Sequence, residues 1–352
     1  MLFPYTYVSH QMEKMQEFID FIFYEVWCKA PGYGPFSLDL FLPNPDLYEV
    51  MNAFHYSDSQ GSEFFLGHVQ RIFELFTTLD DAQIEQFRQW YQANNDIEKV
   101  CANDSSISVA RYADLPTKLN GIKDQLKSFF KNLYSYLNLA ALKEKIGEIG
   151  DHYNEAFSGA NRSGKCPFCG ISDMKGPDHD YREAYDHYLP KALYPFNSVN
   201  FRNLAPACHE CNSTYKKSKD PVHKGAGRRK AFYPYAMDAH DIEIAIDLNH
   251  SDIDRLVPAD IQLTFGPAVV HEEIETWKDI YGIEERYKAK ICRENDGKYW
   301  LMQVLDEWRE DDRLPDDYLK TLSRQTARYP FAESNFLKKP FLEACRAAGI
   351  LE

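Results

Sequence analysis

The sequence predicts an α+β fold in three parts along its 352 residues, a length that allows two or three domains. Residues 1–157 carry apolar side chains at helical spacing, which predicts a mainly helical domain. Residues 158–235 contain two Cys-x-x-Cys pairs within a segment too short to build a core of its own. Residues 236–352 combine strand and helix patterns, which predicts a small α+β domain.

The N-terminal part is predicted to be helical from about residue 10 to residue 155, with one helix starting at Asp80-Asp81. Its clearest pattern is an a/d stripe of about three heptads, formed by Leu119, Ile122, Leu126, Phe129, Leu133, Tyr136 and Ala140. Two interpretations are open, a helix packed within a bundle and an intermolecular coiled coil. So short a run favours the bundle. Nothing in this part suggests chemistry.

The C-terminal part begins with two runs that alternate apolar and polar residues. Ile242 to Leu248 and Ile261 to Phe265 have this period of two, which predicts two strands. Helical patterns follow over residues 268–295 and 298–310 and near the C-terminus.

The chain is acidic overall, but its positive charge is concentrated in the central part. The formal net charge is −14. Between Arg162 and Lys230 there are 13 Lys or Arg and 7 Asp or Glu, a net of +6, which leaves −20 for the rest. This acidic remainder is expected to weaken non-specific binding to nucleic acid, and it would suit restraint of the central part or a basic partner.

The sequence shows no sign of membrane targeting. The stretch that starts at Met1 lacks the basic region and apolar run of a signal peptide. The most apolar early stretch, Phe18 to Trp27, contains Asp20 and Glu25 and is far shorter than the roughly 20 residues that span a bilayer. We therefore expect a cytoplasmic protein with no membrane association.

The paired cysteines predict a structural metal site. Four thiolates in two close pairs suit a closed tetrahedral zinc site, and we expect Zn²⁺ to be held by Cys166, Cys169, Cys208 and Cys211. Taken alone, these pairs fit a zinc ribbon that only presents a binding surface at least as well. The remaining cysteines are scattered and are expected to be reduced thiols: Cys28, Cys101, Cys292 and Cys345.

Between the cysteine pairs lie residues with a different chemistry. Asp186 and Asn212 offer the oxygen ligands that a hard cation such as Mg²⁺ prefers, and His187 offers an imidazole that titrates near neutrality. Phosphodiester hydrolysis needs such a base together with charge stabilisation at the phosphate. A second Asp-His occurs at Asp178-His179-Asp180. We prefer His187 as the base because Leu-Pro-Lys follows it, although Asp178 or Asp180 could add a carboxylate near the cation.

The string Asp-His-x-x-Pro-Lys, followed by Asn-Leu-x-Pro-x-Cys-x-x-Cys-Asn-x-x-x-Lys, resembles the HNH nuclease family with its ββα-metal fold. By this resemblance, which covers residues 160 to 225, His187 is the general base on the first strand and Asp186 is a metal ligand. Asn203 braces the loop that carries the base. Asn212 takes the third motif position, which is often His, and is the second metal ligand. The catalytic ion implied is Mg²⁺ or Mn²⁺.

Basic residues in and after this motif are predicted to contact phosphate groups. They are Lys191, Lys216, Lys217, Lys219, Arg228, Arg229 and Lys230. A solvated basic tail is the alternative interpretation of the Lys216 to Lys230 cluster. His209, between the second pair of cysteines, is expected to be exposed, since four thiolates already complete the zinc shell.

The sequence thus predicts a metal-dependent DNA endonuclease, with 158–235 as the nuclease domain. One HNH site cuts one strand, so double-strand cleavage implies a homodimer, a partner or repeated nicking. Nucleases of this kind resemble effectors of bacterial anti-phage or restriction systems, including Septu-type systems with an ATPase subunit; by analogy, such a subunit is a possible partner. Two alternatives are a catalytically silent zinc-containing nucleic-acid-binding or scaffold subunit, and an RNA-cleaving nuclease.

Overall fold

A computed structural model describes residues 1–161, 164–176 and 178–351, and its mixed architecture confirms the predicted α+β fold class. Eight helices precede the central part: α1 (Lys14–Phe21), α2 (Pro45–His55), α3 (Gln60–Phe76), α4 (Asp81–Asn95), α5 (Ile97–Cys101), α6 (Asn120–Leu133), α7 (Ala140–Ile146) and α8 (Ile149–Ser158). Five follow it: α9 (His271–Tyr281), α10 (Ile283–Ile291), α11 (Tyr299–Asp311), α12 (Pro315–Arg328) and α13 (Asn335–Ala347).

The strands form three separate antiparallel pairs in the described part of the chain. They are β1 (Tyr185–His187) with β2 (Leu204–Pro206), β3 (His223–Lys224) with β4 (Gly227–Arg228), and β5 (Glu243–Leu248) with β6 (Ile261–Gly266). The last pair confirms the two strands predicted from alternating hydrophobicity. Helices α9, α10 and α11 likewise occupy the stretches predicted to be helical after them.

Local sequence explains where several helices start. Helix α4 begins after Asp80, as predicted, because the Asp80 carboxylate accepts a hydrogen bond from the Gln83 N–H at 2.8 Å. Gln83 Oε1 accepts one from the Asp80 N–H at 3.0 Å in return. This capping box satisfies two backbone donors that an isolated helix end would leave unpaired.

Most of the a/d stripe, from Leu119 to Leu133, is buried within the N-terminal part, as expected for a helix packed within a bundle. Leu126, Phe129 and Leu133 of α6 are fully buried in the core that surrounds Trp27. The helix ends at Leu133, earlier than the stripe, and a turn of 3₁₀-helix follows over Tyr134–Tyr136. Beyond the helix, Tyr134 packs against the ring of His187 and Tyr136 against that of Phe64.

Two hydrophobic clusters connect the three parts of the sequence. One contains the N-terminal helices and also Tyr185, Phe196 and Leu204 of the central part. The other contains the four paired cysteines, the C-terminal helices and the first residues of the chain, such as Leu2. The central part therefore contributes to both clusters, and the predicted boundaries after residues 157 and 235 stay a prediction.

No helix in the described ranges is long and apolar enough to cross a membrane.

Acid is expected to destabilise this fold through His152, which is buried and lies against Tyr185. Burial, with a smaller contribution from His10, lowers the pKa of His152 to about 4. An unfolded histidine titrates near 6.5, so between about pH 6.5 and 4 the unfolded chain binds more protons and stability falls as pH falls. From pH 7 to 5 we expect a loss of about 2 kcal/mol from this group.

Chemical denaturation at pH 7 and pH 5 measures this loss directly. His152→Gln should show a smaller difference between the two pH values than the wild type, whatever its stability at pH 7. Replacement of His55, which is exposed, should leave the difference unchanged. An equal pH dependence in the His152→Gln and wild-type proteins would contradict the assignment.

Candidate active site and four-cysteine cluster

The central part forms a short hairpin followed by a helical segment. Strand β1 pairs with β2 in antiparallel register, with Asp186 opposite Ala205 and His187 opposite Leu204. The chain then reaches Cys208 and enters a π-helical segment, Glu210–Lys216, which contains Cys211. This order of two strands and one helix is the arrangement that the ββα-metal resemblance implies.

His187 ends β1 and is held by one hydrogen bond from its ring. Its Nε2 lies 3.0 Å from the carbonyl oxygen of Ser198. Since a carbonyl only accepts, Nε2 must carry the ring hydrogen, and Nδ1 keeps its lone pair as an acceptor. Burial, reinforced by the positive charge of Lys191 and outweighing the Ser198 hydrogen bond, lowers the pKa of His187 to about 3. The ring is therefore neutral at physiological pH.

Asn203 braces the loop between the two strands from inside. Its Oδ1 accepts a hydrogen bond from the Leu189 N–H at 2.7 Å, and its Nδ2 donates to the Leu189 carbonyl at 3.1 Å. Nδ2 also donates to the carbonyl of Asn197 at 3.2 Å. The side chain is fully buried. It fixes the backbone just after His187 to the backbone just before Ser198, the partner of the His187 ring.

Helix α4 holds the same loop from the N-terminal domain. Asn197 Nδ2 donates to the Asn94 carbonyl at 3.1 Å. Asn200 Nδ2 donates to the carbonyl and the side-chain oxygen of Asn95, at 3.2 and 3.0 Å. The Ser198 carbonyl between these anchors is thus positioned by two parts of the chain about a hundred residues apart. The sequence motif gave no sign of this contribution from Asn94 and Asn95.

Asp186 shares a fully buried ion pair with Lys216. The Lys216 ammonium lies 2.9 Å from Asp186 Oδ1 and donates to the His187 carbonyl, also at 2.9 Å. The Lys216 side chain has 0% of its surface exposed and that of Asp186 has 4%. Burial raises the pKa of Asp186 above its ordinary value, and the ammonium of Lys216 offsets only part of that rise. Asp186 Oδ2 is buried and has no hydrogen-bond partner within the described ranges.

Asn212 lies on the helical segment one turn before Lys216 and is half-buried. Lys216, four residues later on the same segment, contacts β1 through Asp186 and the His187 carbonyl. An unpartnered carboxylate oxygen with an amide oxygen on the facing helix is a donor set that suits Mg²⁺ or Mn²⁺.

The four paired cysteines come together as a buried cluster. The sulfur atoms of Cys166, Cys169, Cys208 and Cys211 all lie within 4.8 Å of one another. Those of Cys169 and Cys208 are 4.0 Å apart. Tetrahedral zinc with Zn–S bonds of about 2.3 Å places its sulfurs at a similar spacing. The cluster could therefore hold a zinc ion.

The C-terminal helices support this cluster. Arg286 of α10 is buried, and its guanidinium donates to Cys211 Sγ at 3.2 Å and to Glu210 at 2.7 Å. Trp277 Nε1 donates to the Phe168 carbonyl at 2.6 Å, and the Tyr287 hydroxyl donates to the Cys169 carbonyl at 2.9 Å. A guanidinium beside a thiolate stabilises its negative charge. No pattern in the sequence singled out Arg286 for this role.

The turn that contains the first cysteine pair contacts the first residues of the chain. Gly170 follows Cys169 with φ of 67°, a conformation that favours glycine. A Cβ at Gly170 would lie 2.3 Å from a methyl group of Leu2. The Leu2 N–H donates to the Pro167 carbonyl at 2.9 Å. The first residues of the chain therefore pack directly on the cysteine turn.

The N-terminal domain forms one wall of the site. The ring of Tyr134 meets the ring of His187 edge to face, with centroids 4.9 Å apart. The Lys191 ammonium lies 5.4 Å from the centroid of Tyr134. Burial, followed by the charge of Lys131 on α6, lowers the pKa of Lys191. No sequence motif singled out Tyr134 for this position.

The predicted phosphate contacts are only partly available. Lys216 was predicted to contact phosphate, but it is buried and paired with Asp186, so in this structure it cannot reach an external phosphate. Arg229 is also engaged, with Asp279 at 2.6 Å and with carbonyl oxygens. Arg228 donates to two backbone carbonyls of the N-terminal part, those of Val100 and Asp104. Lys219 donates to two backbone carbonyls of α9. Lys217 and Lys230 are exposed and Lys191 is half-buried.

The upstream Asp-His lies in an exposed loop. Within the described residues the ring of His179 hydrogen-bonds to the backbone of Gly176, and Asp178 and Asp180 are exposed. In the ranges that the structure describes, the cysteine cluster is the one group of three or more His, Cys, Asp or Glu ligands. An additional carboxylate from Asp178 or Asp180 near the cation stays a prediction. His209 is exposed, as predicted.

The described residues thus define a ββα unit that carries an Asp-His pair and is flanked by a buried four-cysteine cluster. Over 103 residues the chain is 30% identical to the Septu protein PtuB of Bacillus thuringiensis, a match that spans 26% of this chain and 39% of that protein. It is 39% identical over 97 residues to protein ea31 of Escherichia phage lambda, across 27% of this chain and 28% of that one.

These similarities cover well under half of either relative. No protein-family model matches the chain, and no solved structure matches it.

Proposed function

We propose that this protein is a metal-dependent endonuclease of the HNH type that hydrolyses phosphodiester bonds in DNA. The observation that carries the proposal is the arrangement around His187. Its Nε2 is committed to the Ser198 carbonyl, which leaves Nδ1 as a proton acceptor, and a carboxylate oxygen of the preceding Asp186 has no partner among the described residues. A histidine with only a structural role has no need of an adjacent, unsatisfied carboxylate.

In this mechanism, Nδ1 of His187 accepts a proton from a water molecule whose oxygen attacks the phosphorus atom. The P–O bond to the leaving oxygen breaks, and that oxygen acquires a proton from solvent. The Nε2–H bond to Ser198 holds the ring in one tautomer and orientation throughout. The negative charge of an approaching phosphate would raise the pKa of His187 from its low value, which brings the base closer to the pH at which it operates.

Asp186 and Asn212 would hold the catalytic Mg²⁺ or Mn²⁺. When bound, such an ion neutralises charge that develops on the phosphate and on the leaving oxygen. Lys216 holds Asp186 Oδ1, so the carboxylate is kept in one orientation with Oδ2 available. The four cysteines would hold a zinc ion whose role is structural.

The second candidate is a catalytically silent nucleic-acid-binding or scaffold subunit. The ion pair of Asp186 with Lys216 favours it, because a lysine already balances the charge that a metal would balance. The buried hydrogen bonds of Asn203 also favour it, because they stabilise the loop and this role does not depend on catalysis. The intact base and its tautomer-fixing hydrogen bond favour the nuclease.

The partial similarity to a Septu protein suggests a role in phage defence, most simply as the nuclease effector of a bacterial system. In such a setting an ATPase or other subunit, or a second copy of the chain, would supply regulation or the second strand cut.

Nicking of supercoiled plasmid tests the proposal. We expect the purified chain to nick plasmid with Mg²⁺ or Mn²⁺ at low salt, and only weakly at physiological salt, because about −20 of formal charge surrounds a central part of +6. Phosphate-driven affinity falls steeply between about 50 and about 200 mM salt. Zinc-bound, folded protein that cleaves no DNA with any divalent ion would favour the scaffold, and cleavage of RNA alone would favour the RNA-cleaving alternative.

A further inference from the structure

Helix α6 of the N-terminal domain carries a row of lysines beside the candidate site. Lys123, Lys127 and Lys131 follow one another at four-residue spacing and so share one side of the helix. Lys127 and Lys131 are exposed, and Lys123 is half-buried. None of the three makes a salt bridge within the described ranges. Asp124, which is exposed, is the single carboxylate of α6.

This α6 lysine row (Lys123, Lys127 and Lys131) is continuous with the active-site wall. A cavity of about 300 Å³ is lined by Lys123, Asp124 and Lys127 of α6 and by Ala192 and Leu193 of the loop that follows His187. The charge of Lys131 acts on Lys191. Immediately after the helix, Tyr134 packs against the ring of His187.

The α6 row supplies positive charge that the later basic cluster does not. The cationic groups of Lys216, Arg228 and Arg229 are bound within the protein. Of the α6 lysines, Lys127 and Lys131 are exposed, and none of the three is paired with a carboxylate within the described residues. The sequence predicted phosphate contacts at Lys191 and within residues 216–230, whereas the fold also presents free positive charge near His187 from a helix about 60 residues earlier in the chain.

The length of the row suits a nucleic-acid strand. Eight residues of α-helix rise about 12 Å, and successive phosphates of one strand advance about 3.4 Å along a duplex axis. The row therefore spans roughly three phosphates. Its spacing, exposure and position beside the base match a backbone contact better than a base-specific one, because lysine ammonium groups bind phosphate as point charges.

We propose that the α6 lysine row binds the phosphate backbone of duplex DNA and leads one strand to His187. This inference rests on the proposed nuclease function, from which it takes the identity of the ligand. The N-terminal domain is then part of the substrate-binding surface.

The test measures binding separately from cleavage. Fluorescence anisotropy with a labelled DNA duplex is followed over a series of salt concentrations, with all proteins in a His187→Ala background so that no duplex is cut. The test variant is Lys123→Gln/Lys127→Gln/Lys131→Gln. The control is Lys320→Gln/Arg324→Gln/Arg328→Gln on α12, which removes three cations at the same spacing from a helix that forms no part of the site. Thermal unfolding verifies that both are folded, and the single variant Lys127→Gln is measured beside them.

We expect the α6 variant to bind DNA roughly 100-fold more weakly than its parent near 0.1 M salt, with a salt slope shallower by about 2 to 3. Lys127→Gln should account for about one unit of that slope. The α12 control should bind like the parent. Equal affinity and slope in the α6 and α12 variants would overturn the inference, as would failure of the parent to bind duplex DNA or an α6 dependence seen only for RNA or an acidic protein. Failure of the nuclease proposal is read separately, from wild-type protein that does not nick plasmid.

Discussion

The His187→Ala protein is expected to lose DNA cleavage by ~10²–10⁴-fold, the usual effect of removing a general base. Its fold and zinc content should remain those of the wild type, since within the described residues the ring makes one hydrogen bond, to the Ser198 carbonyl, and one edge-to-face contact, with Tyr134. The rate of plasmid nicking in Mg²⁺ and in Mn²⁺ measures the effect. Added metal should not restore activity, because no other proton acceptor of the described site takes the place of Nδ1.

Two comparisons make this result specific to the base. His179→Ala removes the exposed histidine of the upstream Asp-His and should cleave like the wild type. Asn212→Ala should also lose activity, but through weaker metal binding, so that raised Mg²⁺ or Mn²⁺ restores part of it. An inactive His179→Ala protein together with an active His187→Ala protein would show that the base has been assigned to the wrong histidine.

The structure makes Asp186→Ala a poor probe of metal binding. Lys216 is fully buried, and removal of its carboxylate partner would leave an uncompensated charge in the interior. Breaking a buried pair in this way typically costs about 3–5 kcal/mol. Loss of activity in Asp186→Ala would therefore combine unfolding with lost metal affinity, whereas Asn212, which is half-buried, has no such partner in the described structure.

Local sequence was sufficient to predict the elements that depend on neighbours in the chain. Alternating residues predicted β5 and β6, helical spacing predicted α9 to α11, and the capping residue Asp80 predicted the start of α4. In the central part, the motif placed His187 on the first strand. Each of these features is set by residues a few positions apart.

Contacts between distant parts of the chain were not predictable in the same way. The motif contains Lys216, but only the packing of the helical segment on β1 shows that its ammonium is buried against Asp186. Arg229 was predicted to contact phosphate, but in the folded chain it pairs with Asp279 of α9. Tyr134 and the α6 lysine row became part of the site because the N-terminal domain folds over His187. Charge counted along a sequence does not tell which charges neutralise one another in space.

Loss of the four-cysteine cluster is expected to have the largest effect on stability. Structural zinc contributes about 10–16 kcal/mol of apparent binding free energy at neutral pH, which equals or exceeds the roughly 5–15 kcal/mol that stabilises a whole domain. We therefore expect about one tightly bound zinc per chain in the wild type. Cys166→Ser and Cys208→Ser should lose it and unfold the cluster that joins the N-terminal residues, the cysteine turns and the C-terminal helices.

Elemental analysis together with thermal unfolding measures this effect. Cys345→Ala is the matched control, because Cys345 is fully buried in the same hydrophobic cluster but lies outside the group of four sulfurs. That variant should keep its zinc. Its free energy of unfolding should fall by a few kcal/mol at most, which is the cost of a small truncation in a core. Without zinc, Arg286 would face thiols in place of thiolates, so the support given by α10 should weaken together with the cluster. Well-folded wild-type protein that contains no zinc would refute the assignment of the four cysteines.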